Sequence, residues 1–119
     1  MLVNPGLALR YDKIEGAAEA IADIDAPVGS MYTLEGAYKT SILRENFRGG
    51  NALFTSPTFP IKCGGAPQKI LYLSEATFRK NGVRDITNLK YFAATPVMFP
   101  PSDEFNAPLN EHCLSKGIE

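Results

Sequence analysis

The residue best suited to chemistry is Cys63, in the run Phe59-Pro60-Ile61-Lys62-Cys63-Gly64-Gly65-Ala66-Pro67-Gln68-Lys69. Pro67 suits the first turn of a helix, because its missing N–H would be unpaired there in any case. Cys63 therefore sits just ahead of an expected helix N-terminus, between Lys62 and Lys69. Unpaired backbone N–H groups and nearby cations favour thiolate over thiol, and the thiolate is the nucleophilic form. Gly64 and Gly65 are expected to let the backbone turn sharply and approach a ligand closely. The competing reading makes Cys63 a small buried apolar residue beside a tight turn, and the residues alone leave both readings open. Cys113 is expected near the end of a helix, where the dipole disfavours a thiolate, and reads as a packing residue.

Hydrophobic spacing supplies the elements that must position this turn. Ala52-Leu53-Phe54-Thr55 reads as a buried strand over 51–55. Ile70-Leu71-Tyr72-Leu73 opens a helix over 67–80 that is expected to be buried on more than one side, and Asn81-Gly82 stops it. A second strand is expected over 88–94 and a last helix over 105–116. Between them Thr95-Pro96 and Pro100-Pro101 frame a loop carrying Val97, Met98 and Phe99. Upstream, Thr33 is the expected N-cap of a helix over 34–47 that ends at Gly49-Gly50. Residues 10–30 are acidic and Ala-rich and read as loop with one helical turn. Met1-Leu2-Val3-Asn4-Pro5-Gly6 reads as a strand end running into a turn. The order strand, helix, strand, helix after residue 50 predicts an α/β fold: a parallel β-α-β-α unit preceded by a loop-rich segment and one helix. Two strands are too few for an independent doubly wound sheet, so the pattern expects a slice of a longer chain. Residues 70–73 and 97–99 are then expected to contribute to an exposed apolar patch.

Composition narrows the function classes. The 119 residues suffice for one small domain, and 45% hydrophobic and 21% charged residues are ordinary for a globular protein. A net charge of −1 argues against a dedicated nucleic-acid binder. Charge is nonetheless uneven. Residues 1–30 carry two cations against five anions, a net of −3, and residues 60–84 carry five cations against Glu75, a net of +4. The basic stretch reads as a solvated helix face or as a surface meeting an anionic partner. No run reaches the length of a membrane-spanning helix. With two cysteines and one histidine, no metal ligand set is expected.

Three runs carry a family resemblance: Gly50-Asn51-Ala52-Leu53-Phe54-Thr55, Pro60-Ile61-Lys62-Cys63-Gly64-Gly65-Ala66-Pro67-Gln68-Lys69-Ile70, and Tyr72-Leu73-Ser74-Glu75 with Phe78-Arg79-Lys80. Together they resemble the sulfide:quinone oxidoreductases, in the branch that includes the mitochondrial enzymes. Leu2-Val3-Asn4-Pro5-Gly6 and Tyr11-Asp12-Lys13-Ile14 match the place where that family's first flavin-domain segment ends. The resemblance implies a partial Rossmann-like fold of the FAD/NAD(P)-binding type. Residues 1–32 would close the first flavin-domain segment, and residues 33–119 would open a second Rossmann-like domain carrying the redox cysteine.

What the resemblance implies can be given residue by residue. In the family the cysteine of K-C-[AG]-G-A-P-Q-K is one of two redox-active cysteines beside FAD. Here that is Cys63, and its partner lies later than this sequence reaches. Gly64, Gly65 and Lys69 would lie against the flavin, and Pro5 and Gly6 near its nucleotide half, while most FAD contacts would come from parts absent here. The implied reaction oxidises sulfide through a cysteine persulfide and passes two electrons through FAD to quinone, with a small sulfur acceptor taking the sulfur. A membrane surface would be met through C-terminal elements absent here, at a mitochondrial inner membrane or a bacterial plasma membrane. A nicotinamide site is not expected, because Ser56-Pro57-Thr58-Phe59-Pro60 after the first strand offers no glycine fingerprint. Two alternatives stay open: the flavoprotein subunit of a sulfide dehydrogenase, and a truncated binding module without catalysis.

Overall fold

The computed structural model describes residues 1–3 and 6–119. The chain divides into two compact units, Met1–Leu43 and Arg44–Glu119.

The first unit holds a 3-10 turn at Tyr11–Lys13, a short helix α1 (Ala17–Ala22) and most of helix α2 (Leu34–Asn46). Residues 1–3 are exposed and form no strand, in contrast to the strand end expected there, because no described segment pairs with them. Thr33 caps α2 as expected: its hydroxyl accepts from the Gly36 N–H at 3.0 Å. Lys39 of α2 is buried and does an unusual job. Its ammonium donates to the carbonyls of Ala20 at 2.9 Å, Ile21 at 3.3 Å and Asp23, which are the last acceptors of α1. A cation at the negative end of a helix satisfies carbonyls that α1 itself cannot pair.

The second unit is the α/β part. Strand β1 (Gly50–Ser56) leads to helix α3 (Ala66–Lys80), then strand β2 (Thr87–Ala93), then helix α4 (Asn106–Ser115). β1 and β2 are parallel neighbours in register, with Ala52 opposite Leu89 and Phe54 opposite Tyr91. Gly49 and Gly50 at the entrance to β1 both have positive φ. A Cβ on Gly49 would also lie 2.7 Å from Ile86 Cδ1, so glycine is required there twice over. On the other edge of β2, the Glu119 N–H donates to the Leu89 carbonyl at 3.1 Å and the Tyr91 N–H donates to the Glu119 carbonyl at 2.7 Å. Those two bonds bracket Lys90 in the manner of a parallel ladder, so Glu119 begins to pair as a third strand would.

Alternation along the strands decides where the core sits. Ala52 and Ser56 of β1 and Thr87 and Leu89 of β2 are buried on one face. Leu71 and Phe78 of α3, Met98, Cys113 of α4 and Ile118 complete that core. Phe47 adds a ring against Phe78, with centroids 4.5 Å apart. The opposite face of the sheet is open, with Leu53 60% and Phe92 54% exposed. The apolar run of α3 is not buried all round, as its sequence suggests. Gln68, Leu71, Glu75 and Phe78 form the buried stripe at helical spacing, while Leu73 is 52% exposed. Met98 is buried, so of residues 70–73 and 97–99 only part is exposed, and other exposed apolar side chains of this unit are Leu53 and Phe92 of the sheet face, Ile86, Phe105 and Leu114.

Candidate functional site

The connection from β1 to α3 passes through a cis Phe59–Pro60 peptide and delivers Cys63 to the surface. The Ala66 N–H donates to the Cys63 carbonyl at 3.2 Å, and the Lys69 N–H to the Gly65 carbonyl at 3.0 Å, which closes the turn and starts the helix. Pro67 stands in the first turn, and the N-cap position is Gly65, which has no side chain to cap the helix. The positive end of a fifteen-residue helix therefore begins three positions after an exposed thiol. Lys62 and Lys69 are both exposed on either side of it.

The two glycines of the turn serve space rather than backbone freedom. Neither is among the glycines with positive φ, and Gly65 sits at φ −93°, ψ −6°, which any residue adopts. The expectation of a glycine-dependent sharp turn is thus corrected. A Cβ built on Gly64 would lie 3.2 Å from Phe59 Cε1 and 3.2 Å from Phe99 Cε2, so its backbone runs between two aromatic rings. A Cβ on Gly65 would meet nothing within 4 Å. Gly65 also lines a groove of about 590 Å³ beside α3 and α4, together with Lys69, Tyr72, Phe99, Phe105 and His112 among others. The exposed lining is mostly apolar, with Gln68, Lys69, Glu75, His112 and Lys116 as the polar and charged residues, which suits a largely apolar ligand with polar groups at its edge.

Tyr72 closes the inner side of the groove. Its hydroxyl donates to the Leu109 carbonyl at 3.3 Å and lies 3.4 Å from the Cys113 sulfur, while His112 meets its ring edge-on at 4.8 Å. Burial, with Cys113 beside it, pushes the Tyr72 phenol far above its usual range, so it stays neutral at all physiological pH. Cys113 is buried between this hydroxyl and Met98 Sδ at 3.9 Å and acts as packing. The groove lining includes a buried carboxylate. Glu75 is 1% exposed and meets Arg79, Arg84 at 3.6 Å and Lys116 at 3.2 Å. Burial pushes its pKa up, but the hydrogen bonds from Arg79 and Lys116 outweigh burial and hold it below the usual carboxylate range.

Cys63, Gly64, Gly65 and Lys69 thus share one end of α3. Gly6 lies in the first unit, exposed and at φ 70°, and Pro5 lies outside the described residues. Sequence reasoning passed over Gln68, Phe99 and Asn106, which hold the rim of the site. Gln68 stood within the quoted motif, but a buried amide tethering a loop thirty residues away leaves no periodic signal. Among the described residues no three His, Cys, Asp or Glu side chains gather as a metal site, and no helix is long and apolar enough to cross a membrane.

No family model matches the chain. It is similar to three curated proteins, each described as a mitochondrial sulfide:quinone oxidoreductase. Identity is 43% over 99 residues to the Mus musculus protein, covering 83% of this chain and 22% of the relative. It is 35% over 119 residues to the Dictyostelium discoideum protein, covering 99% of this chain and 26% of the relative. It is 31% over 99 residues to the Schizosaccharomyces pombe protein, covering 83% and 22%. The chain spans about a quarter of the length of these relatives.

Proposed function

This chain belongs to the sulfide:quinone oxidoreductase family, and from that membership we propose that it carries the sulfur-handling cysteine of a flavin-dependent sulfide oxidation. Cys63 is the residue that takes up sulfur. The observation that carries the reading is an exposed thiol just ahead of the α3 N-terminus, beside a groove that Gly65 lines.

The chemistry suits that placement. Hydrosulfide attacks a disulfide or trisulfide joining Cys63 to a second cysteine supplied by the enzyme outside this chain. The attacked S–S bond breaks: from a disulfide one cysteine keeps the added sulfur as a persulfide and the other leaves as a thiolate, and from a trisulfide the second cysteine leaves with the middle sulfur as a persulfide anion. Positive potential from the helix end and from Lys62 and Lys69 favours that leaving thiolate. The groove is mostly apolar and Gly65 lines it, so Gly64, Gly65 and Lys69 are the residues proposed to face FAD. Pro5 and Gly6 are proposed to lie near its nucleotide half. FAD, when bound, supplies the two-electron acceptor from which quinone is reduced. The fold is proposed to be a partial Rossmann-like unit of the FAD/NAD(P)-binding type, with residues 1–32 closing one flavin-domain segment and 33–119 opening the next domain. A mitochondrial location is proposed from the descriptions of the relatives, and membrane association from the membership of the family.

The test is turnover of flavin-loaded enzyme carrying this segment. Cys63→Ser should lower sulfide oxidation by about 10³-fold or more with flavin absorbance retained, and Cys113→Ser should leave it within about threefold. Normal turnover without Cys63 removes the assignment. Reduction of a haem protein in place of quinone would favour the sulfide dehydrogenase reading.

A further inference from the structure

The segment between β2 and α4 returns across the start of α3 and is tied down at three points. Gln68 of α3, 4% exposed, donates from Nε2 to the Met98 carbonyl. The Phe99 N–H donates to Asn106 Oδ1 at 2.8 Å, and Asn106 Nδ2 donates to the Ser102 carbonyl at 3.3 Å. Asn106 is itself 9% exposed. Between these tethers the Phe99 ring is presented to Gly64, the residue that follows Cys63, and is backed by Phe105 in an edge-to-face contact at 5.9 Å. On the other side of Gly64 stands Phe59. The Gln68 amide is committed to this arrangement: its Oε1 is buried without a protein partner, which is costly to maintain for packing alone.

We propose that Gln68 and Asn106 are positioning residues for Cys63, acting through Met98 and Phe99, which they hold so that the Phe99 ring clamps the backbone at Gly64. The inference rests on the reading of Cys63 as the sulfur-handling residue, and it adds the residues that fix where the thiol stands. Two buried amides on different helices converge on adjacent residues of one strap. The Phe99 ring carries the strap to the turn, against Gly64. A nucleophile displaced by a fraction of an ångström loses much of its advantage, so such a clamp has a kinetic effect beyond its effect on stability.

Two readouts test it. The first is peptide-resolved alkylation of Cys63 by iodoacetamide across pH, in folded protein. Gln68→Met and Asn106→Leu should each change the Cys63 rate by about threefold or more, whereas Asn106→Asp, which keeps the acceptor for the Phe99 N–H, should restore the wild-type profile. In a Phe99→Ala background Gln68→Met should add nothing further, since its path to Cys63 is already cut. Additive effects, or an unchanged Cys63 profile in variants that only melt earlier, overturn the proposal. Should Gln68→Met fail to fold, Phe99→Leu against Asn106→Leu decides the same question. The second readout is steady-state sulfide turnover of flavin-loaded enzyme, where Gln68→Met should lower kcat about tenfold with KM little changed. Alkylation does not depend on sulfide chemistry. Failure of Cys63→Ser to abolish turnover would therefore sink the proposed function while the alkylation cycle still judged the clamp.

Discussion

Gly64 and Gly65 are adjacent glycines in different surroundings. Gly64 is crowded: a Cβ there would approach both Phe59 and Phe99 at 3.2 Å. Alanine asks those ring edges to give by a few tenths of an ångström, whereas Gly64→Val forces a branched side chain between them and should cost about 1–3 kcal/mol. Gly65 is uncrowded within the chain. Gly65→Ala should therefore cost at most about 1 kcal/mol as an altered N-cap. If FAD approaches along this open side, however, the same methyl should lower flavin-dependent turnover at least about tenfold, out of proportion to the stability change. Thermal melts of both variants set against turnover check this, and a Gly65→Ala enzyme of unchanged activity would place the flavin elsewhere. The motif made Cys63 visible in the sequence, together with its helix and its glycines. It did not make visible the reason for Gly64, because that reason is two rings from other parts of the chain. Phe59 is four residues before Cys63, but Phe99 arrives from beyond the second strand.

The elements of the second unit were legible because their burial is periodic. The strand over 51–55 and the helix over 67–80 emerge within a residue of expectation at Gly50–Ser56 and Ala66–Lys80, and the parallel pairing followed from the connection length between the strands. What spacing concealed is that the α3 stripe includes Glu75. A carboxylate at a core position reads as a break in the pattern until Arg79, Arg84 and Lys116 are seen converging on it. Arg84 also donates to the carbonyls of Thr87 at 3.0 Å, Lys116 and Gly117 at 2.8 Å, so the cluster joins α3 to the start of β2 and to the end of α4. Removing the charge leaves three cations around a buried amide. Glu75→Gln should cost about 2–4 kcal/mol, which calorimetry would read as a lowered Tm. The pH dependence follows from the lowered pKa of Glu75. Its contribution is fully present above the ordinary glutamate value and is lost as pH falls through the lower, folded value. Wild-type stability should therefore decline below about pH 4, and Glu75→Gln should decline less steeply there. Parallel acid titrations of the two proteins would refute the assignment.

Across the whole chain the two units differ in what holds them. Every described hydrophobic residue that is fully buried, from Ala52 to Ile118, belongs to Arg44–Glu119. In Met1–Leu43 the buried residues are Gly36 and Lys39, and α1 buries none of its own. That contrast explains why residues 10–30 read as loop from the sequence. Six residues of helix with no apolar stripe are unstable alone, and α1 exists because a lysine nearly twenty positions later caps its carbonyls. A lysine in that role cannot be told from any solvated lysine by spacing. Burial of apolar area is the main term resisting local opening, so the units should open independently and at different cost. Native-state hydrogen exchange should find the amides of β1, β2 and α3 protected to near the global unfolding limit, and those of α1 exchanging about 10²-fold faster or more. Lys39→Met keeps the length of the side chain and removes the three hydrogen bonds to Ala20, Ile21 and Asp23. It should abolish the residual protection of α1 while leaving β1, β2 and α3 unchanged. Equal protection in both units, or a Lys39→Met protein whose sheet exchanges faster together with α1, would show that the first unit is held by something other than this one buried cation.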